Sequence, residues 1–156
     1  MPHLPTGSIA PDFTLLDHQG QPFTLSEALR NGPVVLYFYP KDNTYGCIRE
    51  ACFFRDAYED FIDVGAQVVG VSADSITSHQ EFRDQYNLPF TLLSDPDRLA
   101  HTLYGVDRFM FGLLASRITY IISKEGRILG IIDSVIDFQG HVTKGLSMLR
   151  RQVLAP

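Results

Sequence analysis

The apolar and polar positions along the chain alternate between short buried strands and amphipathic helices. Residues 34–39 form an unbroken β-branched and aromatic run, which is typical of a buried strand. After it, apolar residues recur at spacings of three and four with charged residues between them, namely Ile48, Ala51, Cys52, Phe54, Tyr58, Phe61 and Ile62. This is the pattern of an amphipathic helix, so Cys47 is predicted to lie in its first turn.

The rest of the chain continues this alternation. A second buried strand, 67–72, is expected to run parallel to the first because a helix connects the two. The other predicted strands are 11–16, 23–25, 90–93 and a hairpin of 118–122 with 128–132. Helices are also predicted at 27–30, with Ser26 as the cap, at 75–86 and at 140–152. A further helix is predicted to begin with Asp95 at the cap and Pro96 in its first turn, and its apolar side is formed by Leu99, Leu103 and Tyr104. We therefore predict one α/β domain, 1–156, a thioredoxin-like three-layer sandwich with an N-terminal β-hairpin extension.

Composition excludes several classes of function. The chain has 156 residues, 20% of them charged, and a formal net charge of -5, so it lacks the basic footprint of a nucleic-acid binder. No apolar run approaches the length of a membrane span, and the first residues lack the regions of a signal peptide. A cytoplasmic setting is expected, in which two cysteines are more often catalytic than structural. No metal-ligand spacing relates the five histidines, His3, His18, His79, His101 and His141.

The position of Cys47 is favourable for a nucleophile. The first N–H groups of a helix lack intrahelical partners, and the helix dipole places partial positive charge there. These features are expected to lower the pKa of Cys47 and to stabilise its thiolate. Cys52 follows five residues later, at a Cα separation of roughly 8.7 Å in a regular helix, whereas a disulfide needs about 7 Å or less. Bonding the two sulfurs therefore requires the start of the helix to unwind.

Five residues around this point form an extended motif. Pro40, Thr44 and Cys47 make a PxxxTxxC box directly after the predicted strand, and Glu50 and Cys52 extend it as CxxExC. On these residues the chain resembles a peroxiredoxin of the bacterioferritin-comigratory or peroxiredoxin Q type, an atypical 2-Cys enzyme. The similarity covers nearly the whole chain, through segments 54–56, 78–79, 88–95, 112–114 and 117–120.

The resemblance implies a thiol-dependent peroxidase that acts on hydrogen peroxide and organic hydroperoxides. Cys47 is implied as the attacking residue, which becomes a sulfenic acid, and Cys52 as the residue that converts it to an intramolecular disulfide. Thioredoxin or a similar dithiol reductant is implied as the partner that recycles the enzyme. The family needs no metal or organic cofactor. We expect a monomer, with a dimer as the alternative.

The resemblance also implies roles for the residues around the cysteines. Thr44 and Arg117 are implied as catalytic, with Arg117 supplying a permanent cation and several fixed donors beside Cys47. Pro40, Thr44, Gly46 and Arg117 are implied to bind substrate, with Pro40 shielding the thiolate from water. Glu50 is implied as a supporting residue that orients Arg117. Arg117 begins a strand that we expect to lie beside the first one.

Several alternatives stay open at this level. Tyr45 stands where the family normally has proline, and Ile48 where threonine is common, which keeps a redox-sensing or chaperone-like binding protein without turnover as an alternative. A dithiol oxidoreductase is weakened because Thr44 occupies the first position of the CxxC pair. A purely structural Cys52 also stays open, because buried free cysteines are common. For Glu50, a purely local role stays open beside catalytic support, because an acid near a helix N-terminus interacts favourably with the helix dipole.

Overall fold

The computed structural model describes residues 3–106, 108–109, 114–115 and 117–154. Its strands are β1 (Thr14–Asp17), β2 (Pro22–Thr24), β3 (Val34–Phe38), β4 (Gln67–Ser72), β5 (Thr91–Ser94), β6 (Arg108–Phe109), β7 (Leu114–Ala115), β8 (Ile118–Ile122) and β9 (Ile128–Asp133). Its α-helices are α1 (Leu25–Ala28), α2 (Tyr45–Asp56), α3 (Tyr58–Asp63), α4 (Ile76–Tyr86), α5 (Leu99–Leu103) and α6 (Phe138–Leu154), and a 3₁₀ turn, Leu29–Asn31, follows α1.

Seven of the strands form one mixed sheet in the order β2-β1-β5-β4-β3-β8-β9. The strands β3, β4 and β5 run parallel, as expected for strands joined by helices. The hairpin of β8 and β9 joins antiparallel to β3, and the N-terminal hairpin of β1 and β2 joins antiparallel to β5. The central strand β3 is buried throughout, which explains its unbroken apolar run.

Helices cover both faces of the sheet. Side chains of α2, α3, α4 and α6 pack with one face of β3, where Cys47, Phe54 and Leu149 lie in a single apolar cluster. Side chains of α1 and α5 pack with the other face, around Leu36 and Tyr104. The predicted α/β, thioredoxin-like three-layer arrangement with its N-terminal hairpin is confirmed.

Local cap predictions were wrong at two places, for the same reason. Ser26 does not precede α1 but lies inside it, and the distant Asp12 accepts hydrogen bonds from the Ser26 N–H and hydroxyl at 2.8 Å each. Asp95 does not directly precede α5, yet its carboxylate accepts from the Leu99 and His101 N–H groups at 2.8 and 3.0 Å. In both cases the helix N–H groups bond to an aspartate outside the local cap position.

The inner faces of two helices also differ from the prediction. Leu99 and Leu103 are exposed, and Ala100, His101 and Tyr104 are buried in their place. The long helix predicted after Cys47 is divided at Ala57 into α2 and α3, and Ile62 is exposed. The sequence also predicts an unusually apolar loop at 106–116, most of which falls outside the described residues.

Among the described residues, no helix combines the length and apolar character needed to cross a membrane.

Candidate active site

The site begins where β3 ends. The Tyr39 N–H continues the strand pairing to the Val71 carbonyl at 3.1 Å, after which Pro40 leads into a short loop that ends at Thr44. The helix α2 starts at Tyr45, so Cys47 is its third residue, in the first turn as predicted. The sheet therefore fixes the start of the loop, and the helix fixes the cysteine.

A buried polar cluster fixes the middle of this loop. The Asp42 carboxylate accepts from the Tyr39 hydroxyl at 2.6 Å and from Ser78 Oγ at 2.8 Å, and it lies 2.7 Å from His79 Nδ1. The Asp42 N–H donates to Asp74 Oδ2 at 2.8 Å. This cluster ties the loop to α4 and to the end of β4, although sequence analysis assigned no role to Asp42 or His79.

Asp42, Asp74 and His79 also offer three potential metal ligands within 4.8 Å of one another. Protein donors already surround their carboxylates, because Asp74 Oδ2 accepts from both Ser72 Oγ at 2.6 Å and the Asp42 N–H. His79 Nε2 is engaged with the Leu93 carbonyl at 2.9 Å. These contacts meet the hydrogen-bonding needs of the cluster without a cation, so its chemistry favours a structural anchor.

Arg117 faces the sulfur of Cys47. Both terminal nitrogens of its guanidinium lie 3.5 Å from Cys47 Sγ, and the cysteine is only 1% exposed. Arg117 directly precedes β8, which pairs with β3, so its predicted place beside the first strand is confirmed. Sheet pairing thus brings together two residues that are 70 positions apart in sequence.

The expectation of a lowered cysteine pKa is wrong for this closed, reduced arrangement. Burial raises the pKa of Cys47, while the positive charge of Arg117 opposes that rise. The desolvation penalty for a buried thiolate is larger than the stabilisation that the Arg117 cation and the helix N-terminus together provide. Arg117 is therefore the largest influence that favours the ionised sulfur in this site.

Three contacts besides the one with Cys47 fix the guanidinium of Arg117. Its Nη1 donates to Glu50 Oε1 at 2.8 Å, its Nε donates to the Val135 carbonyl at 3.1 Å, and its Cζ lies over the Phe138 ring, 4.9 Å from the ring centre. Gly46 leaves room for this packing, because a Cβ there would lie 2.8 Å from Arg117 Nη2 and 2.9 Å from Phe138. The guanidinium therefore has little freedom to turn away from Cys47.

Glu50 occupies a fully buried position on α2, although the sequence pattern had grouped it with the polar face. Burial raises its pKa from 4.5 to about 7, against the attraction of Arg117. Its second oxygen, Oε2, has no hydrogen-bond partner among the described residues and lies 3.5 Å from His141 Nδ1. Glu50 therefore contacts Arg117 as the resemblance implied, but at a considerable desolvation cost.

The remaining predicted residues lie on the outer side of the site. The Thr44 hydroxyl donates to the Lys41 carbonyl at 2.7 Å, and Pro40 and Gly46 are half-buried. Cys52 is half-buried in the same continuous helix as Cys47, and both cysteines are free. Their sulfurs cannot bond while this helix is intact, in keeping with the separation of about 8.7 Å expected for such positions.

Sequence analysis missed three contributors to the site, Val135, Phe138 and His141. They contact Arg117 and Glu50 from the segment after β9 and from the start of α6, both of which lie far from the motif in sequence. A backbone carbonyl such as that of Val135 leaves no signal in the residue type. His141 had one available signal, because a histidine among the apolar positions of a helix often has a specific buried partner.

A cavity of about 540 Å³ lies along the same edge of the sheet, beyond the ends of β4 and β5. It is lined by β1, by the segment after β4 and by residues such as Ser94, Asp95 and Leu99. None of the predicted site residues lines it, so it is separate from the Cys47 site.

Known proteins share both the sequence and the fold. The sequence model of the AhpC/TSA family matches residues 6–131. Peroxiredoxin Q of rice, Oryza sativa subsp. japonica, named as chloroplastic, is 44% identical over 144 residues, which are 92% of this chain. The match spans 66% of the rice protein, just under two thirds of its length.

Two solved structures are similar as well. Peroxidoxin BcpB of Mycobacterium tuberculosis superposes with a TM-score of 0.90 at 38% identity, covering 96% of this chain and 98% of that one. The bacterioferritin comigratory protein of Xanthomonas campestris, described for its alkyl peroxide reduction activity, gives a TM-score of 0.81 at 30% identity, covering 90% and 91%. The chain therefore belongs to the AhpC/TSA family and, within it, to the peroxiredoxin Q type.

Proposed function

We propose that this chain is a thiol-dependent peroxidase that reduces hydrogen peroxide and organic hydroperoxides at Cys47. The observation that carries the proposal is the position of the Arg117 guanidinium, with two donors 3.5 Å from a buried sulfur at a helix start. Family membership supports it, and the alkyl peroxide reduction named for the Xanthomonas relative is consistent with organic substrates.

In the first step, the Cys47 thiolate attacks one peroxide oxygen and the O–O bond breaks. The sulfur is oxidised to a sulfenic acid, and the leaving oxygen takes a proton to give water or an alcohol. Arg117 stabilises the thiolate before the attack and the negative charge that develops on the leaving oxygen. Thr44 has one hydroxyl proton, now donated to Lys41, and it turns this proton toward the peroxide when substrate enters.

In the second step, Cys52 condenses with the sulfenic acid, which releases water and forms the Cys47–Cys52 disulfide. This step requires the first turns of α2 to unwind, because both cysteines lie in one helix. Thioredoxin or a similar dithiol then reduces the disulfide by exchange and is itself oxidised. Pro40 and Gly46 shape the substrate approach, and Glu50 orients Arg117.

We also propose a single domain over 1–156, acting as a cytoplasmic monomer. The sheet that joins the N-terminal hairpin to the rest of the fold supports a single domain. The name of the rice relative places that protein in the chloroplast, a location that is also compatible with recycling by a dithiol. A sedimentation measurement on the reduced protein tests the monomer directly.

Intact mass spectrometry tests the reaction. Reduced protein is mixed with one equivalent of hydrogen peroxide, in the wild type, in Cys52→Ser and in Cys47→Ser. The wild type is expected to lose two hydrogens, and Cys52→Ser to gain one oxygen or a trapped sulfenic adduct. Cys47→Ser is the matched control and is expected to stay unchanged.

Turnover with thioredoxin and excess peroxide separates an enzyme from a sensor. Repeated peroxide consumption supports the peroxidase, whereas a single stoichiometric oxidation supports the redox-sensing alternative. If neither cysteine reacts within minutes, the peroxidase proposal is wrong and a binding protein of the same fold replaces it.

A further inference from the structure

A buried histidine lies behind the pair of Arg117 and Glu50. His141, on α6, is fully buried, and its two ring nitrogens have different neighbours. Nε2 lies 2.8 Å from the Ser134 carbonyl, and Nδ1 lies 2.7 Å from the Thr119 hydroxyl and 3.5 Å from Glu50 Oε2. The ring therefore connects β8 and the segment after β9 to the acid that holds Arg117.

The partners of the ring decide its tautomer. A carbonyl oxygen only accepts, so Nε2 must carry the proton that binds Ser134. In the neutral ring, which burial favours by lowering the pKa of His141, Nδ1 then accepts the Thr119 proton. Nδ1 and Glu50 Oε2 consequently face each other as two acceptors without a proton between them. This explains why the buried Glu50 Oε2 has no hydrogen-bond partner in the part of the chain that the structure describes.

One additional proton, held on Nδ1 or on Glu50 Oε2, would make one of these two atoms a donor to the other, provided that the Thr119 hydroxyl turns its own proton away from Nδ1. The charges of the site indicate when it is needed. With Cys47 as a thiol, Arg117 and Glu50 balance each other, whereas ionisation of Cys47 leaves one excess negative charge in a buried site. A proton held by Glu50 and His141 removes this excess and leaves Arg117 to balance the sulfur alone.

We propose that His141 is a positioning residue for the peroxidase reaction, which with Glu50 forms a site for one shared proton. When the proton is present, the Arg117 cation stabilises the Cys47 thiolate. When the proton is absent, the Arg117 cation is balanced by the Glu50 carboxylate instead. The inference rests on the proposed function, since it concerns the same reacting sulfur. Other ionisable groups around the site are common to all variants below: Tyr37 on β3, Asp133 on β9 and Asp137 before α6.

The test measures ionisation of Cys47 by thiolate absorbance near 240 nm, in a Cys52→Ser background with Cys47→Ser/Cys52→Ser as the blank. His141→Asn places a side-chain amide where Nδ1 was. The N–H of this amide donates a hydrogen bond to Glu50 Oε2 and so stabilises the ionised form of Glu50. We expect the ionisation of Cys47 to move to higher pH by about one pH unit, a tenfold change in thiolate fraction below the midpoint. Glu50→Gln, which is permanently neutral, is expected to move it to lower pH.

A double variant separates a positioning role from a structural one. If His141 acts through Glu50, adding His141→Asn to Glu50→Gln changes nothing further. An additive effect overturns the proposal, as does an unchanged midpoint in His141→Asn. His101→Asn is the matched control, because His101 is equally buried, lies 2.6 Å from the Asp95 carboxylate and belongs to another part of the fold. It is expected to leave the midpoint in place.

Nitrogen NMR of the labelled ring gives an independent reading. The resonances absent from His141→Asn identify the ring, and the Nε2–H tautomer is expected at alkaline pH. Observation of the Nδ1–H tautomer there overturns the proposal even if the peroxidase is active. Failure of the wild type to react with peroxide overturns the proposed function, whereas the absorbance and NMR results still decide the proton site.

Discussion

Glu50→Gln should change the pH dependence of stability in a direction that a salt bridge alone does not give. Glu50 is fully buried 2.8 Å from Arg117, and its pKa is raised from 4.5 to about 7 because burial outweighs the ion pair. The folded protein therefore holds this proton more tightly than the unfolded chain. The contribution of this carboxyl to stability is complete below pH 4.5 and is lost as the pH rises through 7.

The magnitude follows from the size of the rise. With about 1.4 kcal/mol for each pKa unit, the change corresponds to about 3 kcal/mol. Glutamine keeps the shape and has no such titration, so the free energy of unfolding of Glu50→Gln relative to wild type should increase with pH. Most of that relative gain, about 3 kcal/mol, should develop between about pH 5 and pH 8.

Urea unfolding of the reduced proteins at several pH values measures this difference, because groups common to both proteins cancel. Glu59→Gln, which removes an exposed carboxylate on α3, is the control and should give a nearly flat difference. A relative stability of Glu50→Gln that falls as pH rises would refute the reasoning. It would mean that the attraction of Arg117 outweighs burial.

Three further predictions concern the reaction at Cys47. Gly46→Ala should slow the oxidation of Cys47 by peroxide at least about tenfold, because the new Cβ would lie 2.8 Å from Arg117 Nη2 and displace the guanidinium. Competition kinetics measure this rate, and an unchanged rate contradicts the prediction. Since burial raises the pKa of Cys47, the oxidation rate should increase with pH, and a flat profile above neutrality would be inconsistent. Arg49→Ala removes a hydrogen bond to the Tyr45 hydroxyl at 3.3 Å and a cation–π contact with the Phe53 ring at 5.4 Å, so α2 should unwind more readily. Mass analysis of quenched samples should then show disulfide formation about two- to fivefold faster. Slower disulfide formation contradicts the prediction.

Local periodicity was sufficient for most of the elements. The apolar run before Pro40, the parallel strand at 67–72 and the hairpin around Gly126 all appear as predicted. The inner faces of the helices were harder to predict. Leu99 and Cys52 both occupy apolar positions in the pattern, but Leu99 is exposed and Cys52 is only half-buried. The pattern reports which residues prefer burial, whereas packing against the sheet decides which of them obtain it.

The sequence by itself determined the chemistry of this protein: a cysteine at a strand-to-helix transition, a second cysteine in the same helix and a motif that indicated an arginine partner. Only the tertiary structure decided the electrostatics. It buried Glu50, placed Arg117 over the Phe138 ring and brought His141 next to Glu50, all through contacts between segments that are distant in the chain. Desolvation depends on every neighbouring atom, so no local motif fixes whether the Cys47 thiol ionises easily.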